Sequence, residues 1–539
     1  MALLEVHHLS LRIGSTSILK HIDLAVDAGE ILGVIGESGS GKSMTALSIM
    51  QLLPAGATTT GSIAFEGREV LGLPDAEMRK IRGDRIGMVF QEPMTALNPV
   101  KTIGEQIAET ARVHGRMNRH DAMIVARETM ERVELPVERF PLDRYPHELS
   151  GGQRQRVVIA MAIAMRPKLL IADEPTTALD VTTQAQILRL LNRLVDEDGM
   201  GMIFITHDLG VVAGLADKVA IMRQGEVVEA GPTVALFRNL RHPYSKALFE
   251  ASSHVPPRVP PAMSGGVPVL SVDNVVREYP LPRRSLFAPR QVLRAVNRVS
   301  LRIERGENVG LVGESGCGKS TLARAIMALE PIEGGAISID GEAVDPRRGA
   351  LPATRRKLQV VFQDPYGSFN PRHRVDRLVS EPFHLLGSAA PTGAERDRRV
   401  ARALDEVGLA ASDADKYIHE FSGGQRQRIA IARALIIEPR LIILDEAVSA
   451  LDVSIRAQIL DLLADLSDRL QLSYLFISHD LAVVRSITDR VLVMRRGEIV
   501  ESGETEAVFR NPQHPYTQEL LAATPNLEAA LAARESDGR

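Results

Sequence analysis

Short, uninterrupted apolar runs alternate with amphipathic stretches along the chain. Four runs are apolar throughout: Leu169–Ala172, Met202–Ile205, Leu441–Leu444 and Tyr474–Ile477. Runs of this length are typical of strands that are buried on both faces of a parallel sheet. Between residues 91 and 150, and again between 363 and 422, the pattern turns helical and charged. The pattern therefore predicts an α/β core into which a helical subdomain is inserted.

Each half of the chain also begins with strand-like segments that lead through a glycine-rich loop into a helix. The predicted strands are Leu3–Val6 and 29–35 in the first half, and Val269–Val272 and 306–312 in the second. The predicted helices after the loops are Ser43–Leu53 and Ser320–Leu329. A strand, a glycine loop and a helix in this order form the structural context of a phosphate-binding loop.

The chain is an internal repeat. Gly36–Ser43 and Gly313–Ser320 both match the pattern G-x-x-x-x-G-K-[ST]. From Gln91 and Gln363 onward the two copies run at a constant offset of 272 residues, as far as a His-Pro-Tyr near each end. Self-similarity of this kind indicates two copies of one domain. We place the domains at 1–251 and 269–525, with a Pro/Gly-rich linker at 252–268 and a tail at 526–539.

Composition narrows the class of protein. The 539 residues exceed the ~250–300 at which a single core stops growing, which agrees with two domains. A formal net charge of −4 gives no electrostatic reason to expect nucleic acid as a partner. The N-terminus lacks a signal-peptide pattern, and the longest apolar run, Val157–Met165, is far shorter than the ~18–20 residues of a membrane span. We expect a cytosolic chain, with any membrane spans supplied by other chains.

Each residue type in the glycine loops has a chemical reason for its place. Gly36, Gly39 and Gly41 allow the backbone to curl so that its N–H groups face a polyphosphate at a helix N-terminus. Lys42 is placed to reach the β- and γ-phosphates, and Ser43 to ligate Mg²⁺. The second loop repeats these residue types at Gly313, Gly316, Gly318, Lys319 and Ser320.

An acidic pair closes one buried strand in each half, Asp173-Glu174 and Asp445-Glu446. The carboxyl end of a parallel strand beside a glycine loop is where Mg²⁺ and an attacking water would sit. We expect the aspartate to hold Mg²⁺ and the glutamate to act as general base. The alternative is a pair of surface acids at a strand end.

A serine followed by two glycines precedes a helical run in each half, at Ser150-Gly151-Gly152-Gln153 and Ser422-Gly423-Gly424-Gln425. Such a start exposes backbone N–H groups at a positive helix end. Read alone, it is also a plain N-cap.

The order of glycine loop, glutamine, Ser-Gly-Gly-Gln, Asp-Glu and histidine resembles the nucleotide-binding domains of ATP-binding cassette (ABC) proteins in both halves. The Ser-Gly-Gly-Gln element separates that family from other P-loop ATPases. The resemblance implies two tandem P-loop ATPase domains of α/β class. Each would have a RecA-like core, an inserted helical subdomain and an antiparallel β subdomain.

The resemblance also implies a head-to-tail arrangement in which ATP on Lys42 is capped by Ser422, and ATP on Lys319 by Ser150. It implies catalytic or metal-contacting roles for Gln91, Gln363, Asp173, Asp445, Glu174, Glu446, His207 and His479. The implied nucleotide contacts are Gly36, Glu37, Ser38, Gly39, Ser40, Gly41, Lys42, Ser43, Gly313, Glu314, Ser315, Gly316, Cys317, Gly318, Lys319, Ser320, Thr321, Tyr279, Asp180, Asp452, Ser150, Gly151, Gly152, Gln153, Ser422, Gly423, Gly424 and Gln425. Since both copies keep these residues, we expect two hydrolytic sites.

Other segments are similar to the importer subfamily for dipeptides, oligopeptides and nickel. These are Phe90–Pro99, Phe362–Pro371 and the His-Pro-Tyr at His242 and His514. The fusion is similar to that of glutathione-importer and Yej-type peptide-importer ATPases. The implied partners are two membrane permeases and, indirectly, a substrate-binding protein, with one copy of the chain per transporter at the cytoplasmic face of the inner membrane. Import of nickel, glutathione, opines or other peptide-like solutes remains open, as do an exporter and a soluble tandem ATPase acting on ribosomes or DNA.

The chain departs from the family pattern in places. The segments directly after Tyr244 and Tyr516 contain no cysteine, so we expect no iron–sulfur cluster beside ATP and Mg²⁺. Tyr279 fits the position that stacks on adenine, whereas Ile13 stands there in the first half. The second half has Glu446-Ala-Val-Ser where the first has Glu174-Pro-Thr-Thr; because the acids stay in place, we expect little effect.

Two further expectations concern single residues. The place of Cys317 at a helix N-terminus favours a lowered thiol pKa, although a small residue that simply fits the loop is the plainer interpretation. Four residues are candidates for apolar contacts with a permease: Met94, Leu97, Tyr366 and Phe369.

Overall fold

The computed structural model describes residues 2–91, 96–177, 179–258, 266–281, 291–344, 351–364, 366–449 and 451–537. It divides into two units. The first comprises the described residues of 1–179, 183–253 and 525–539, and the second those of 180–182 and 254–524. Met94, residues 259–265 of the linker and residues 282–290 lie outside the described residues.

The described part of the first unit contains two sheets. Its strands are β1 Leu4–Ile13, β2 Thr16–Val26, β3 Ile31–Ile35, β4 Ala57–Phe65, β5 Arg68–Glu69, β6 Ile86–Val89, β7 Leu169–Asp173, β8 Gly201–Ile205, β9 Lys218–Arg223 and β10 Glu226–Pro232. One sheet is antiparallel with the order β2-β1-β4-β5, and the other has the order β10-β9-β3-β8-β7-β6. In the six-stranded sheet only β10 is antiparallel to its neighbour.

The second unit repeats this plan. Its strands are β11 Leu270–Pro280, β12 Val292–Ile303, β13 Asn308–Val312, β14 Gly334–Ile339, β15 Glu342–Val344, β16 Leu358–Val361, β17 Leu441–Asp445, β18 Ser473–Ile477, β19 Arg490–Arg495 and β20 Glu498–Glu504. The orders are β12-β11-β14-β15 and β16-β17-β18-β13-β19-β20. Both the α/β core and the antiparallel subdomain expected for each half are therefore confirmed.

Helices cover the sheets and form the inserted subdomains. Along the chain they are α1 Lys42–Ile49, α2 Asp75–Met78, α3 Ile103–His114, α4 Arg119–Arg132, α5 Gly151–Ile163, α6 Val181–Asp198, α7 Leu209–Leu215, α8 Thr233–Arg238, α9 Pro243–Ser252, α10 Lys319–Ile326, α11 Pro352–Lys357, α12 Val375–Ser380, α13 Gly393–Glu406, α14 Gly423–Leu435, α15 Val453–Leu470, α16 Leu481–Ile487, α17 Thr505–Arg510, α18 Pro515–Ala523 and α19 Leu527–Asp537. Short 3₁₀ segments are Pro146–Glu148, Glu381–Ala389, Ala411–Asp415 and Ile418–Glu420.

The apolar runs predict the central strands correctly. All five residues of β3, β7 and β8 are buried, as continuous apolar strands require when both faces of the sheet are covered. The helical, charged stretch after Gln91 forms α3 and α4, with Thr102 and Glu105 as a capping box for α3. The helices after the glycine loops end earlier than expected, at Ile49 and Ile326, because Gln51 and Ala328 adopt left-handed conformations.

The tail at the end of the chain packs on the first unit. In α19, Leu531 is fully buried, and the helix lies against α7 and α8. Arg238 of α8 donates to Glu528 at 2.9 Å and to Glu535 at 2.9 Å. Arg534 lies 3.6 Å from Asp217, the residue before β9. The two pairs of Arg238 are exposed and worth little singly, so the buried leucine is the main apolar anchor of the helix.

The linker makes a comparable contact within the second unit. Arg258 donates to the carbonyl oxygen of Ile487, the last residue of α16, at 2.7 Å and to Asp489 at 3.1 Å. Asp489 and Asp217 are at equivalent positions, and each accepts the N–H at the start of the central strand, from Asn308 at 2.8 Å and from Ile31 at 2.9 Å. An arginine from the tail in the first unit, and from the linker in the second, thus pairs with the equivalent aspartate of each unit.

The length and apolar character of a helix decide whether it can cross a membrane. Within the described part of the chain, no helix combines the length and the apolar character needed to cross a bilayer.

We predict that Leu531→Asp releases α19 from the first unit, because an ionised carboxylate cannot be buried there without a partner. The expected result is at least about tenfold faster cleavage of residues 525–537 in limited proteolysis, since the helix loses its main apolar anchor. The neighbouring exposed residue supplies the control, and Ala532→Asp should be cleaved at the parent rate. Equal cleavage of the two variants would contradict the packing described.

Candidate functional site

The phosphate loop of each unit has the backbone that its glycines predict. Gly36, Gly39 and Gly41 have φ of 151°, 75° and 106°, and the second loop has closely similar values. A side chain at Gly36 would place its Cβ 2.2 Å from the carbonyl oxygen of Met222. Only glycine fits this conformation and this close approach.

The loop lysines are buried against their own loops. The ammonium of Lys42 donates to the carbonyl oxygens of Gly36 at 2.7 Å and Glu37 at 2.8 Å. Lys319 donates to Gly313 at 2.7 Å and Glu314 at 3.0 Å. Both side chains are about 5% exposed (6% and 5%). A buried cation at the start of a helix makes this loop a fitting cradle for an anion such as a polyphosphate.

Hydroxyl and carboxylate oxygens meet beside each lysine. Ser43 donates to Asp173 at 3.1 Å, and Ser320 donates to Asp445 at 3.5 Å. Burial raises the pKa of both aspartates, and the neighbouring glutamate charge acts in the same direction. Hard oxygen ligands of this kind suit Mg²⁺, and a cation would offset the burial that disfavours the ionised aspartates.

The glutamate after each aspartate lies at the centre of the polar cluster. In the first unit Glu174 accepts from Thr177 Oγ1 at 2.8 Å and from Gln91 Nε2 at 3.0 Å, and it lies 3.5 Å from His207 Nδ1. These groups follow β6, β7 and β8, whose carboxyl ends share one edge of the parallel sheet. The predicted assembly of glycine loop, glutamine, acidic pair and histidine therefore exists in this unit.

The glutamates also carry unusual backbone. Glu174 and Glu446 have φ of 47° and 51°, in the left-handed region that non-glycine residues seldom occupy. Their N–H groups donate to Ile205 at 2.9 Å and Ile477 at 2.8 Å, across to the next strand. These bonds hold a conformation that costs on the order of 1 kcal/mol, and such strain is typical of functional sites.

Donors lower the pKa of both glutamates. Burial alone would raise the pKa of Glu174, but the hydrogen bond and charge of His207, with Thr177 and Gln91, lower it to about 2. At Glu446 burial is likewise outweighed by His479, whose Nδ1 lies at 3.2 Å, and the pKa is lowered. Burial would lower the pKa of His479, but Glu446 outweighs it and raises that pKa.

The two glutamates stay in place, as expected, but their hydrogen-bonded environments are not identical. Thr177 bonds to the Glu174 side chain, whereas Ser449 donates to the main-chain carbonyl of Glu446 at 2.9 Å. Gln363 lines a cavity of about 750 Å³ together with Ser320 and Asp445. In the first unit Thr177 is thus an additional donor to the glutamate side chain. In the second unit the equivalent Ser449 donates to the backbone of the glutamate instead.

The Ser-Gly-Gly-Gln elements begin α5 and α14 in the helical subdomains. Ser150 accepts from the Gln153 N–H at 3.4 Å, and Gln153 Oε1 accepts from the Ser150 N–H at 3.0 Å; Ser422 and Gln425 repeat this capping box. A Cβ at Gly152 would lie 2.3 Å from Thr183 of α6, which explains the second glycine. The element is thus an N-cap, as its plainer interpretation holds, and Ser150 and Gly151 remain exposed.

The position predicted to stack on adenine differs between the units. The Tyr279 hydroxyl bonds to Glu330, and the Arg277 guanidinium lies 4.4 Å from the tyrosine ring centre. Arg277 in turn pairs with Glu330 at 3.2 Å and with Glu333 at 2.8 Å. Ile13 has neither a hydroxyl nor a π face, so it offers no such anchored ring.

Three expectations for single residues need correction. Leu97 and Phe369 are 3% and 5% exposed, so they belong to the core and not to a contact surface, whereas Tyr366 is exposed. Burial raises the pKa of Cys317 and outweighs the charge of Lys319, so the helix N-terminus does not produce a lowered thiol pKa.

The aspartates that follow Ala-Leu in each half, Asp180 and Asp452, directly precede α6 and α15. Asp452 is the N-cap residue of α15.

Sequence reasoning missed one contact with the loops. The hydroxyl of Tyr244 accepts from the Glu37 N–H at 3.1 Å, and that of Tyr516 accepts from the Glu314 N–H at 3.0 Å. Both tyrosines belong to the His-Pro-Tyr segments, more than 200 residues away along the chain. Their repetition in both halves was the only available signal.

A model of the family described as "ABC transporter" matches residues 19–177 and 296–449, together more than half of the chain. The chain belongs to the ABC transporter family. It is thus an ATP-binding, ATP-hydrolysing subunit with two tandem cassettes, as the resemblance of its motifs predicts. A second model, "Oligopeptide/dipeptide transporter, C-terminal region", matches residues 228–268 and 500–538 and includes both His-Pro-Tyr segments.

Curated relatives extend the similarity over nearly the whole chain. The chain is 48% identical to the glutathione import ATP-binding protein of Escherichia coli K12, over 95% of this chain and 87% of that protein. It is 47% identical to the protein of the same name from Shigella flexneri, with the same coverage.

Solved structures match one cassette at a time. A dimeric ATP-binding cassette in a post-hydrolysis state with ADP and phosphate is 33% identical, covers 43% of this chain and 98% of its own, and has a TM-score of 0.39. The protein CbiO1 of Clostridium perfringens, part of the ABC transporter complex CbiONQ, is 29% identical, covers 46% of this chain and 92% of its own, and has a TM-score of 0.40.

The pair of Glu446 and His479 predicts a pH dependence of stability. Because the folded pKa of His479 is raised, its contribution is complete below the unfolded pKa of ~6.5 and is lost as pH rises through the folded value. Because the pKa of Glu446 is lowered, its own contribution remains in this range.

We therefore expect His479→Gln to cost about 1–3 kcal/mol of unfolding free energy near pH 6 and clearly less near pH 9. Urea titrations at both pH values, without nucleotide, measure this difference. The exposed His419 provides the matched control, and His419→Gln should change stability equally little at both. A cost for His479→Gln that is larger at pH 9 would contradict the pairing.

Proposed function

We propose that this chain drives an importer of short, peptide-like solutes, the class to which dipeptides, oligopeptides and glutathione belong. The observation that carries the proposal is the combination of two cassettes with paired catalytic clusters and a peptide-transporter C-terminal region in each half. Similarity to glutathione import proteins over 95% of the chain supports the peptide-like class.

In the proposed mechanism Lys42 and Lys319 leave the loop carbonyls and hold the β- and γ-phosphates of ATP. The loop N–H groups and the positive end of the following helix favour the same charge. Ser43 with Asp173, and Ser320 with Asp445, would hold Mg²⁺, with Gln91 and Gln363 nearby. The metal ion would supply charge neutralisation on the phosphates.

Glu174 and Glu446 are proposed as general bases for the attacking water. A carboxylate with a pKa near 2 is a weak base, because its donors stabilise the ionised form. If Gln91 and His207 donate to the γ-phosphate instead, that stabilisation is withdrawn and the carboxylate becomes a stronger base. Binding of the triphosphate would thereby prepare its own hydrolysis.

We further propose that the two cassettes close head to tail, so that the start of α14 caps the nucleotide on Lys42 and the start of α5 caps the nucleotide on Lys319. The exposure of Ser150-Gly151 and Ser422-Gly423 supports this role, because the positive end of a helix suits a γ-phosphate. Asp180 and Asp452 would contact the opposite cassette, and Tyr279 would stack on adenine.

The closing motion would be passed to two membrane permeases at the cytoplasmic face of the inner membrane. One copy of this chain per transporter suffices, because it carries both cassettes. An external binding protein would deliver the solute, which never touches this chain. The resident ligands of the chain would be ATP and Mg²⁺, without an iron–sulfur cluster.

We predict that the double variant Glu174→Gln, Glu446→Gln binds ATP with near-parent affinity but hydrolyses it ~10²–10⁴-fold more slowly, because the amide cannot accept a proton from water. Phosphate release and nucleotide binding, measured on the same preparation, test this. Glu278→Gln, at an acid of the antiparallel sheet, is the control and should hydrolyse at the parent rate. Near-parent hydrolysis by the double variant would refute the general-base assignment.

Uptake by whole cells tests the transported class. Deletion of the gene should abolish ATP-dependent uptake of labelled short peptides or glutathione, and the parent gene but not the double glutamine variant should restore it. Nickel and opine uptake, measured in the same strains, should be unaffected. Loss of nickel uptake alone, or ATPase stimulation by ribosomes or DNA instead of by permeases, would contradict peptide import.

A further inference from the structure

The His-Pro-Tyr segments touch the phosphate loops from outside in both units. Each tyrosine hydroxyl accepts the N–H of the second loop residue, Glu37 at 3.1 Å and Glu314 at 3.0 Å. The rings are buried, with 7% of Tyr244 and 1% of Tyr516 exposed. Neither the glycine-loop pattern nor the polar cluster requires this contact.

Local capping fixes the position of each tyrosine. His242 is the N-cap of α9, and its Nδ1 accepts the Tyr244 N–H at 3.2 Å; His514 does the same for Tyr516 at 3.1 Å. Proline at the first helical position supplies the φ that a helix start needs and lacks an N–H to satisfy. Histidine, proline and tyrosine together therefore fix where the helix begins and in which direction the tyrosine ring points.

The segment before each helix is tied to the last strand of the sheet. Glu229 of β10 accepts the Arg241 N–H at 2.7 Å, and Glu501 of β20 accepts the N–H groups of Gln513 at 2.7 Å and His514 at 3.1 Å. The guanidiniums of Arg223 and Arg495, at the ends of β9 and β19, lie 4.9 Å and 4.6 Å from the tyrosine ring centres. The tyrosine is thus held by strand, cap and cation.

The hairpins β9–β10 and β19–β20 contact the phosphate loops at two further points in each unit. The Gly225 N–H donates to the Ser40 carbonyl at 3.0 Å, and the Gly497 N–H donates to the Cys317 carbonyl at 2.8 Å. The carbonyl oxygens of Met222 and Met494 come so close to Gly36 and Gly313 that no Cβ would fit. Each loop is therefore clamped on its outer side by one β-hairpin and one tyrosine.

We propose that Tyr244 and Tyr516 are positioning residues for the phosphate loops, and that the His-Pro-Tyr segment sets nucleotide affinity by holding the loop in its binding conformation. A loop that is ordered before binding loses less conformational freedom when the nucleotide arrives. Since the hydroxyl holds the loop and does not reach the reacting atoms, its loss weakens binding more than it slows hydrolysis at saturation.

The test compares phenylalanine variants in backgrounds that leave one nucleotide site. With Lys42→Ala present, Tyr516→Phe is expected to raise the Kd for Mg·ATP at the second site about two- to tenfold, as loss of one hydrogen bond to the loop predicts. Saturated hydrolysis per site should change less than twofold. In the Lys319→Ala background, Tyr244→Phe should do the same at the first site.

The control is Tyr474→Phe, which removes a buried tyrosine hydroxyl of the second unit that donates to the Leu463 carbonyl at 3.1 Å, away from the loop. It is expected to lower thermal stability and leave the Kd at the parent value. Hydrogen exchange of peptides covering 310–318 should be faster in Tyr516→Phe than in Tyr474→Phe. Unchanged affinity and exchange in Tyr516→Phe, or an equal loss of affinity in Tyr474→Phe, would overturn the proposal.

Discussion

The common edge at which β3, β6, β7 and β8 end is the constraint on which each catalytic cluster depends. Parallel strands deliver their carboxyl ends to the same side of the sheet, so residues far apart in sequence reach one carboxylate. In the first unit Gln91, Thr177 and His207 all approach Glu174 within 3.5 Å. The buried apolar strands fix these ends, and the left-handed backbone of the glutamate turns its side chain into the cluster.

The duplicated units keep the same phosphate chemistry and differ around it. The lysine donates to the first loop carbonyl at 2.7 Å in both units, and the serine donates to the aspartate in both, at 3.1 Å and 3.5 Å. The differences lie at the position predicted to stack on adenine, where Tyr279 is anchored by Arg277 and Glu330, and beside the glutamates, where threonine and serine bond differently. Two sites that share the same lysine, serine and acidic residues therefore have unequal surroundings.

The segments outside the cassette motifs contact the elements that form the candidate site. The region matched by the peptide-transporter model supplies the tyrosines that hold the phosphate loops and continues into the linker and the final helix. That helix packs on α7, which begins directly after His207 and Asp208. Segments that look like connections in the sequence thus contact the phosphate loops, and in the first unit also α7, the helix that follows His207.

The repeat, the α/β class, the glycine loops and the candidate catalytic side chains could all be predicted from the sequence, because they depend on short-range patterns and on chemistry that few residue types provide. It did not reveal that Thr177 bonds to Glu174, that burial raises the pKa of Cys317, that Phe369 is core, or that Tyr516 holds the loop. Those facts depend on which groups meet across the fold, and on how much water is excluded when they meet. Only the tertiary structure decides both, because hydrogen-bond partners and desolvation are properties of neighbours in space and not of neighbours along the chain.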